Sequence, residues 1–294
     1  MFAKIRHVAI YTENYERMAN FYQTIFGMKK ITSGGTDETG RFNPDRGHIS
    51  DGVIGLALLQ RHPGIQSGLD HFGFVVEDIA AVMDSLRQYY PDIMVAKSLD
   101  HVPFAAKRIH DPVGTHIDVS QKGEAKVEEH VQEGWEQVAH GTGSELAFAK
   151  LREGYIEEGW DQPRHLSHIA IRAKKPSLVA EFYQKVFELR GVEGFSANGE
   201  VCLTDGKVYL LIRPCHNRSY RTMKEGLDHI GFKVESLEQA KRDLDDIARS
   251  NPQCAPRKIT VGTHGAVTQE DIDACMMGRY GTSDPDGVLF DLSE

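Results

Sequence analysis

One local pattern recurs four times along this 294-residue chain, and a chain that repeats a unit must build like structures from it. The first and third copies open Arg6-His7-Val8-Ala9-Ile10-Tyr11 and Ser167-His168-Ile169-Ala170-Ile171-Arg172. Each continues into a helix pattern containing Phe-Tyr-Gln, at Phe21-Tyr22-Gln23 and Phe182-Tyr183-Gln184. The second and fourth copies share Gly-Leu-Asp-His-x-Gly-Phe around His71 and His229. Each half then reaches Asp-Pro-x-Gly and a last strand carrying Asp118 or Asp291. Two histidines and one carboxylate per half form a metal-site arrangement, present twice.

The unit is a β-strand and an α-helix followed by further strands, so the chain is α+β. In the first copy Met18, Phe21, Tyr22, Ile25 and Phe26 follow the spacing of a buried helical stripe, with Asn14 as N-cap and Gly27 as stop. The third copy gives Pro176 near the helix start, then Leu178, Phe182, Tyr183, Val186 and Phe187. Val82, Met83, Leu86 and Tyr90 supply the second stripe; Leu237, Ala240, Leu244 and Ile247 supply the fourth. The length suits two domains, each burying its own core: residues 1–122 and 164–294, joined by a partly helical connector, 123–163, rich in Glu and Gly.

A formal charge of −9 with both signs interspersed disfavours nucleic acid and anionic membrane as partners, and points to a small molecule. No apolar run approaches the roughly 20 residues that cross a bilayer. The four cysteines, Cys202, Cys215, Cys254 and Cys275, show no paired pattern, so reduced thiols and a cytoplasmic protein are expected. A homo-oligomer is compatible with all of this.

Strand alternation decides where the candidate ligands point. Ile169 and Ile171 face the helix layer, leaving His168, Ala170 and Arg172 on the other face. By the same parity His229 and Lys233 turn away from Ile230 and Phe232, and Asp291 turns away from Phe290 and Leu292. His168, His229 and Asp291 therefore share one open face; His7, His71 and Asp118 share another and form a second candidate metal site. Two neutral imidazoles and a carboxylate match the facial triad of non-heme Fe(II) centres, with Mn(II), Zn(II) or another divalent ion as alternatives. Arg172 and Lys233 on the C-terminal open face would attract an anionic substrate.

These residues resemble the vicinal-oxygen-chelate superfamily, which includes glyoxalase I, bleomycin- and fosfomycin-resistance proteins, methylmalonyl-CoA epimerase and type I extradiol dioxygenases. The resemblance implies four βαβββ modules, paired into two cups over residues 4–120 and 165–293. It is closest in organisation to the two-domain extradiol enzymes, with the C-terminal pair catalytic. It implies His168, His229 and Asp291 as metal ligands, Asp291 standing where the family has glutamate. Lys207 to Arg213, where glyoxalase-type enzymes carry an additional ligand, holds no carboxylate or histidine, which favours three ligands. Gly262-Thr263-His264 and Tyr280, ahead of Asp284-Pro285-Asp286-Gly287, follow the order of the dioxygenase signature and imply catalytic roles for His264 and Tyr280. The expected function is extradiol-type cleavage of a catechol-like aromatic with O₂. The alternatives are a glyoxalase- or epimerase-like lyase or isomerase, and a resistance protein that binds its ligand without turnover.

Overall fold

The computed structural model describes residues 3–31, 46–97, 105–121, 163–194, 199–216 and 223–294. The connector therefore falls outside the described residues except at its last position, and Trp135 and Trp160 fall outside with it. The first half contains β1 (Ala3–Thr12), α1 (Tyr15–Phe26), β2 (Lys29–Ile31), β3 (Arg46–Ser50), β4 (Gly55–Gln60), β5 (Gly68–Val76), α2 (Ile79–Tyr89), β6 (Ala96–Lys97), β7 (Lys107–His110) and β8 (His116–Gln121). The second contains β9 (His165–Ala173), α3 (Pro176–Phe187), β10 (Arg190–Gly191), β11 (Val201–Thr204), β12 (Tyr209–Pro214), β13 (Gly226–Lys233), α4 (Leu237–Ser250), α5 (Gly262–Asp273), β14 (Tyr280–Ser283) and β15 (Leu289–Ser293).

The sheets run β2-β3-β4-β1-β5-β8-β7-β6 and β10-β11-β12-β9-β13-β15-β14. In each, the two histidine-bearing strands lie antiparallel at the centre, β1 on β5 and β9 on β13. Three modules have the expected βαβββ order. The fourth departs from it: among the described residues it has one strand fewer and carries the extra helix α5 between α4 and β14.

Local chemistry accounts for the helices. Asn14 and Ser236 cap α1 and α4 through side-chain acceptors, Asp78 does the same for α2, and Gly27 ends α1 in the left-handed region at φ 65°. In α3 the buried stripe is Val179, Phe182, Tyr183, Val186 and Phe187, while Leu178 is 49% exposed. Pro176 at the first turn sets that phase, so Leu178 leaves the stripe to which its spacing assigned it.

The expected pair of separate cores is not what forms. The helix-bearing faces of the two sheets meet, with α1 against α4, α2 against α3, and β5 touching β13. Phe26 stacks on Phe232 of the other half at 3.8 Å between centroids, and Phe187 stacks on Phe74 at 4.0 Å. One apolar cluster spans both halves. The polar links are exchanged in the same way. The Tyr22 hydroxyl donates to Asp284 Oδ2 at 3.0 Å and the Tyr183 hydroxyl to Asp111 Oδ2 at 2.9 Å, so each Phe-Tyr-Gln tyrosine meets the other half's Asp-Pro-x-Gly aspartate. Backbone amides of Ile5 and Leu166 donate to Asp205 and Asp51 across the same seam. The reason is that one helical stripe per module is too narrow to cover a sheet face carrying Phe72, Phe74, Phe232 and Phe290; the halves cover each other. Phe26→Ala is therefore expected to lower stability by about 3–5 kcal/mol and to shift one common unfolding transition. A calorimetric scan in which only one of two transitions moved would contradict the shared core.

Candidate metal centre

Because the helical faces meet, the concave faces point away from one another, and each carries one candidate set. In the C-terminal cup His168 Nε2 lies 3.4 Å from His229 Nε2 and 3.4 Å from Asp291 Oδ1, and His229 Nε2 lies 3.3 Å from Asp291 Oδ2. All three residues are essentially buried. Neither Asp291 oxygen has a hydrogen bond among the described residues. A buried carboxylate without hydrogen bonds is costly, and a cation at the point where these donors converge would satisfy it.

The Gly-Leu-Asp-His-x-Gly-Phe motif explains how the strands bring the donors together. Gly231 pairs with His168 across β13 and β9, and Gly73 pairs with His7 across β5 and β1. A Cβ on Gly231 would stand 1.8 Å from His168 Cε1, and one on Gly73 would stand 2.1 Å from His7 Cε1. Only glycine leaves room for the first-strand imidazole. The motif's aspartate sits in a register shift, between Leu227 and His229 in β13 and between Leu69 and His71 in β5. In a regular strand, neighbours point to opposite faces; the bulge lets Asp228 reach its own neighbour, with Oδ2 2.8 Å from His229 Nδ1, and Asp70 does likewise at 2.6 Å. A carboxylate on Nδ1 fixes the proton there and leaves Nε2 free to donate its lone pair. Asp228→Asn is expected to weaken divalent-metal affinity by about 10- to 100-fold, read by competition with a metallochromic chelator; unchanged affinity would remove Asp228 from the site.

The field in this cup favours positive charge. Burial opposes charge on His168, but the Asp291 carboxylate outweighs it and raises the His168 pKa to about 9. His229 is likewise raised against burial, by Asp228 and Asp291, and the two imidazoles hold Asp291 well below the usual carboxylate range despite its burial.

The N-terminal cup has the same plan with a different occupant. His71 Nε2 and His7 Nε2 lie 3.2 and 3.8 Å from Asp118 Oδ2. Arg108, on β7, grips Asp118 bidentately, with Nε 2.6 Å from Oδ1 and an Nη 2.9 Å from Oδ2. Its register partner is Asp118, and the residue facing Asp291 at the corresponding point of β14 is Gly281. A guanidinium thus supplies the cation in one cup where glycine stands in the other. His7 responds in the opposite sense to His168: burial lowers its pKa, and the charges of His71 and Arg108 add to that against Asp118. Arg108 has no counterpart in the C-terminal repeat, and its place opposite Asp118 follows only from strand register.

The other sequence-derived residues are placed as follows. Arg172 is buried on the open face, where its Nε pairs with Asp228 at 3.1 Å and it donates to the Pro214 carbonyl, bracing the aspartate that contacts His229. Lys233 is exposed at the end of β13, opposite His165 and Ser293. His264 is exposed in the first turn of α5. Tyr280 packs against the apolar core on the helix side, with Lys241 Nζ 4.7 Å above its ring, because its register partner is Leu292, one residue from Asp291 and so on the opposite face. His264 and Tyr280 therefore do not join the triad in the cup. A residue outside every repeat does: Cys275, in the turn after α5, is 3% exposed and groups with His168, His229 and Asp291. Burial opposes its ionisation, but contact with both imidazoles lowers the thiol pKa to about 7. The expectation of three ligands thus meets a fourth donor, delivered by the extra helix and not by Lys207 to Arg213.

Residues 4–119 match the sequence model of the Glyoxalase/Bleomycin resistance protein/Dioxygenase superfamily. The fold is that of the vicinal-oxygen-chelate superfamily. Over 98% of this chain it resembles a catechol 2,3-dioxygenase (13% identity, 86% of that chain, TM-score 0.58). It also resembles the 2,3-dioxygenase LapB from Pseudomonas sp. KL28 (17% identity, 98% of this chain and 91% of that one, TM-score 0.54). A third similar structure is the Mn(II)-bound glyoxalase from Novosphingobium aromaticivorans (14% identity, 98% and 81%, TM-score 0.55). No curated protein matches the sequence. Among the described residues no helix is long and apolar enough to cross a membrane.

Proposed function

We propose that this vicinal-oxygen-chelate protein is a metal-dependent enzyme in which His168, His229 and Asp291 hold a divalent ion and a small substrate chelates it through two neighbouring oxygens. The observation that carries this reading is the pair of buried Asp291 oxygens, without hydrogen bonds and converging with two Nε2 atoms, where the matching N-terminal carboxylate is taken by Arg108. When bound, such an ion supplies Lewis acidity to the substrate's oxygens. The chain supplies the rest: Asp228 orients His229, Arg172 and Arg213 balance Asp228, and burial keeps bulk water from the donors.

Two chemistries are compatible with that centre. Extradiol-type cleavage of a catechol-like aromatic by Fe(II) and O₂ is supported by the fold likeness, over 98% of this chain, to a catechol 2,3-dioxygenase. An O₂-independent lyase or isomerase reaction is supported by Cys275, and it is the one we favour. Were Cys275 to donate beside the triad, a bound ion would have fewer positions left for both a chelating substrate and O₂. His264, exposed on α5, and Tyr280, packed against the core, lie apart from the triad and so lend the dioxygenase reading less support. The four free cysteines support a reducing, cytoplasmic setting.

The test is metal analysis of anaerobically purified protein, followed by assay of catechols, hydroquinones and compounds with adjacent hydroxyl and carbonyl oxygens, with and without O₂. Anaerobic turnover supports the favoured chemistry. Ring cleavage with matching O₂ uptake replaces it with the extradiol reading, and protein that takes up no divalent metal overturns both.

A further inference from the structure

We propose that the Cys275 thiolate is a fourth ligand of the C-terminal metal centre, so that the centre takes Zn(II), Fe(II) or Co(II) in preference to Mg(II) or Ca(II). The proposal rests on the reading that His168, His229 and Asp291 hold an ion. One donor atom from each of His168, His229, Cys275 and Asp291 lies within 4.8 Å of the other three, and all four side chains are buried. Thiolate is a soft ligand that hard oxygen-seeking ions avoid and borderline ions accept.

Two features separate this thiol from a cysteine that merely fills space. The first is that the turn carrying it is pressed onto the carboxylate: a Cβ at Gly278 would stand 2.3 Å from Asp291 Oδ2, so only glycine permits this approach. The second is its surroundings. Cys202 and Cys275 share a small apolar cluster with Ala170 and Leu211, yet Cys275 also meets two imidazoles and a carboxylate whose oxygens lack hydrogen bonds. The extra helix α5 of the fourth module ends immediately before this turn, and its delivery of a donor to the cup gives that insertion a purpose. No such donor belongs to the described N-terminal group of His7, His71 and Asp118.

Cobalt(II) distinguishes the possibilities, because thiolate ligation gives a near-ultraviolet charge-transfer band that nitrogen and oxygen ligands do not. The full-length protein should bind about one Co(II) per chain with that band, and excess Mg(II) should not displace it. Cys275→Ser and Cys275→Ala should each abolish the band and weaken Co(II) binding by more than about 100-fold, beyond the loss typical of outer-shell partners, while circular dichroism stays that of the wild type. Cys202→Ser should keep the band. His229→Ala should lose bound Co(II), placing the ion in this cup. Wild-type protein that binds Co(II) in a His229-dependent way without the band, or with a band that survives Cys275→Ser, overturns the thiolate ligand and leaves the triad standing. A band lost in Cys202→Ser but kept in Cys275→Ala assigns the sulfur to Cys202. Co(II) uptake that is absent, or unaffected by His229→Ala, overturns the triad and the thiolate together.

Discussion

His229→Ala is expected to empty the C-terminal centre and abolish turnover, while the protein stays folded. The imidazole is the one donor that Asp228 aligns and that lies against both His168 and Asp291, so its loss removes a proposed ligand and leaves Asp228 with only Arg172 and Arg213 as partners. Metal affinity should fall by more than about 100-fold, past the range for losing an outer-shell partner. Elemental analysis after dialysis reads this directly, and full metal occupancy in the variant would place the centre elsewhere. The pH dependence has a definite sign. With no metal bound, the His168 pKa is raised from 6.5 to about 9, so its imidazolium contributes stability that is complete below 6.5 and is lost as pH rises through 9. Metal competes with that same proton. Across this window the metal-free protein should therefore lose stability while metal uptake strengthens, and the crossing of the two curves should disappear in His168→Ala.

The repeats made much of this legible because their residues are tied to one another by strand geometry. Period-two alternation placed His168, His229 and Asp291 on one face, and the structure brings their donor atoms to 3.3–3.4 Å of one another. The Asp-His neighbours were visible as a motif, but their direct contact was not, since strand parity forbids it and only the bulge permits it. Long-range relations were harder. Tyr22 and Asp284 are both motif residues, yet nothing local says that they meet across the halves and fuse two cores into one. Cys275 was invisible for a different reason: it belongs to no repeat, and its only trace was the longer stretch between the fourth helix and the last strands. The signature order that pointed to His264 and Tyr280 carries no phase information. A one-residue difference in strand register turns Tyr280 to the core, and helix formation over Gly262–Asp273 lifts His264 to the surface.

Arg108→Gly is expected to raise divalent-metal binding from about one ion per chain to about two, because it recreates at Asp118 the environment that Gly281 gives Asp291. In the wild type the guanidinium occupies both Asp118 oxygens, and a cation approaching His7 and His71 meets that fixed positive charge. Removing it leaves a buried carboxylate beside two imidazoles. Burial holds the pKa of one of them, His7, below its ordinary value even with Asp118 beside it. Without metal the variant should be destabilised, by less than the roughly 3–5 kcal/mol of a fully buried pair because the Arg108 side chain is 39% exposed. Added Zn(II) or Co(II) should restore that loss in proportion to ligand occupancy. The double variant Arg108→Gly/His7→Ala should return to one ion. The stoichiometry decides the matter: a wild type that already holds two ions, one of them lost in His71→Ala, would show that Arg108 does not exclude metal. An Arg108→Gly protein still holding one would show that the N-terminal triad lacks a ligand's geometry even when its carboxylate is released. In either case the two cups, alike in strand order and in their His-His-Asp sets, would owe their difference to something other than the single register position where one repeat carries arginine and the other glycine.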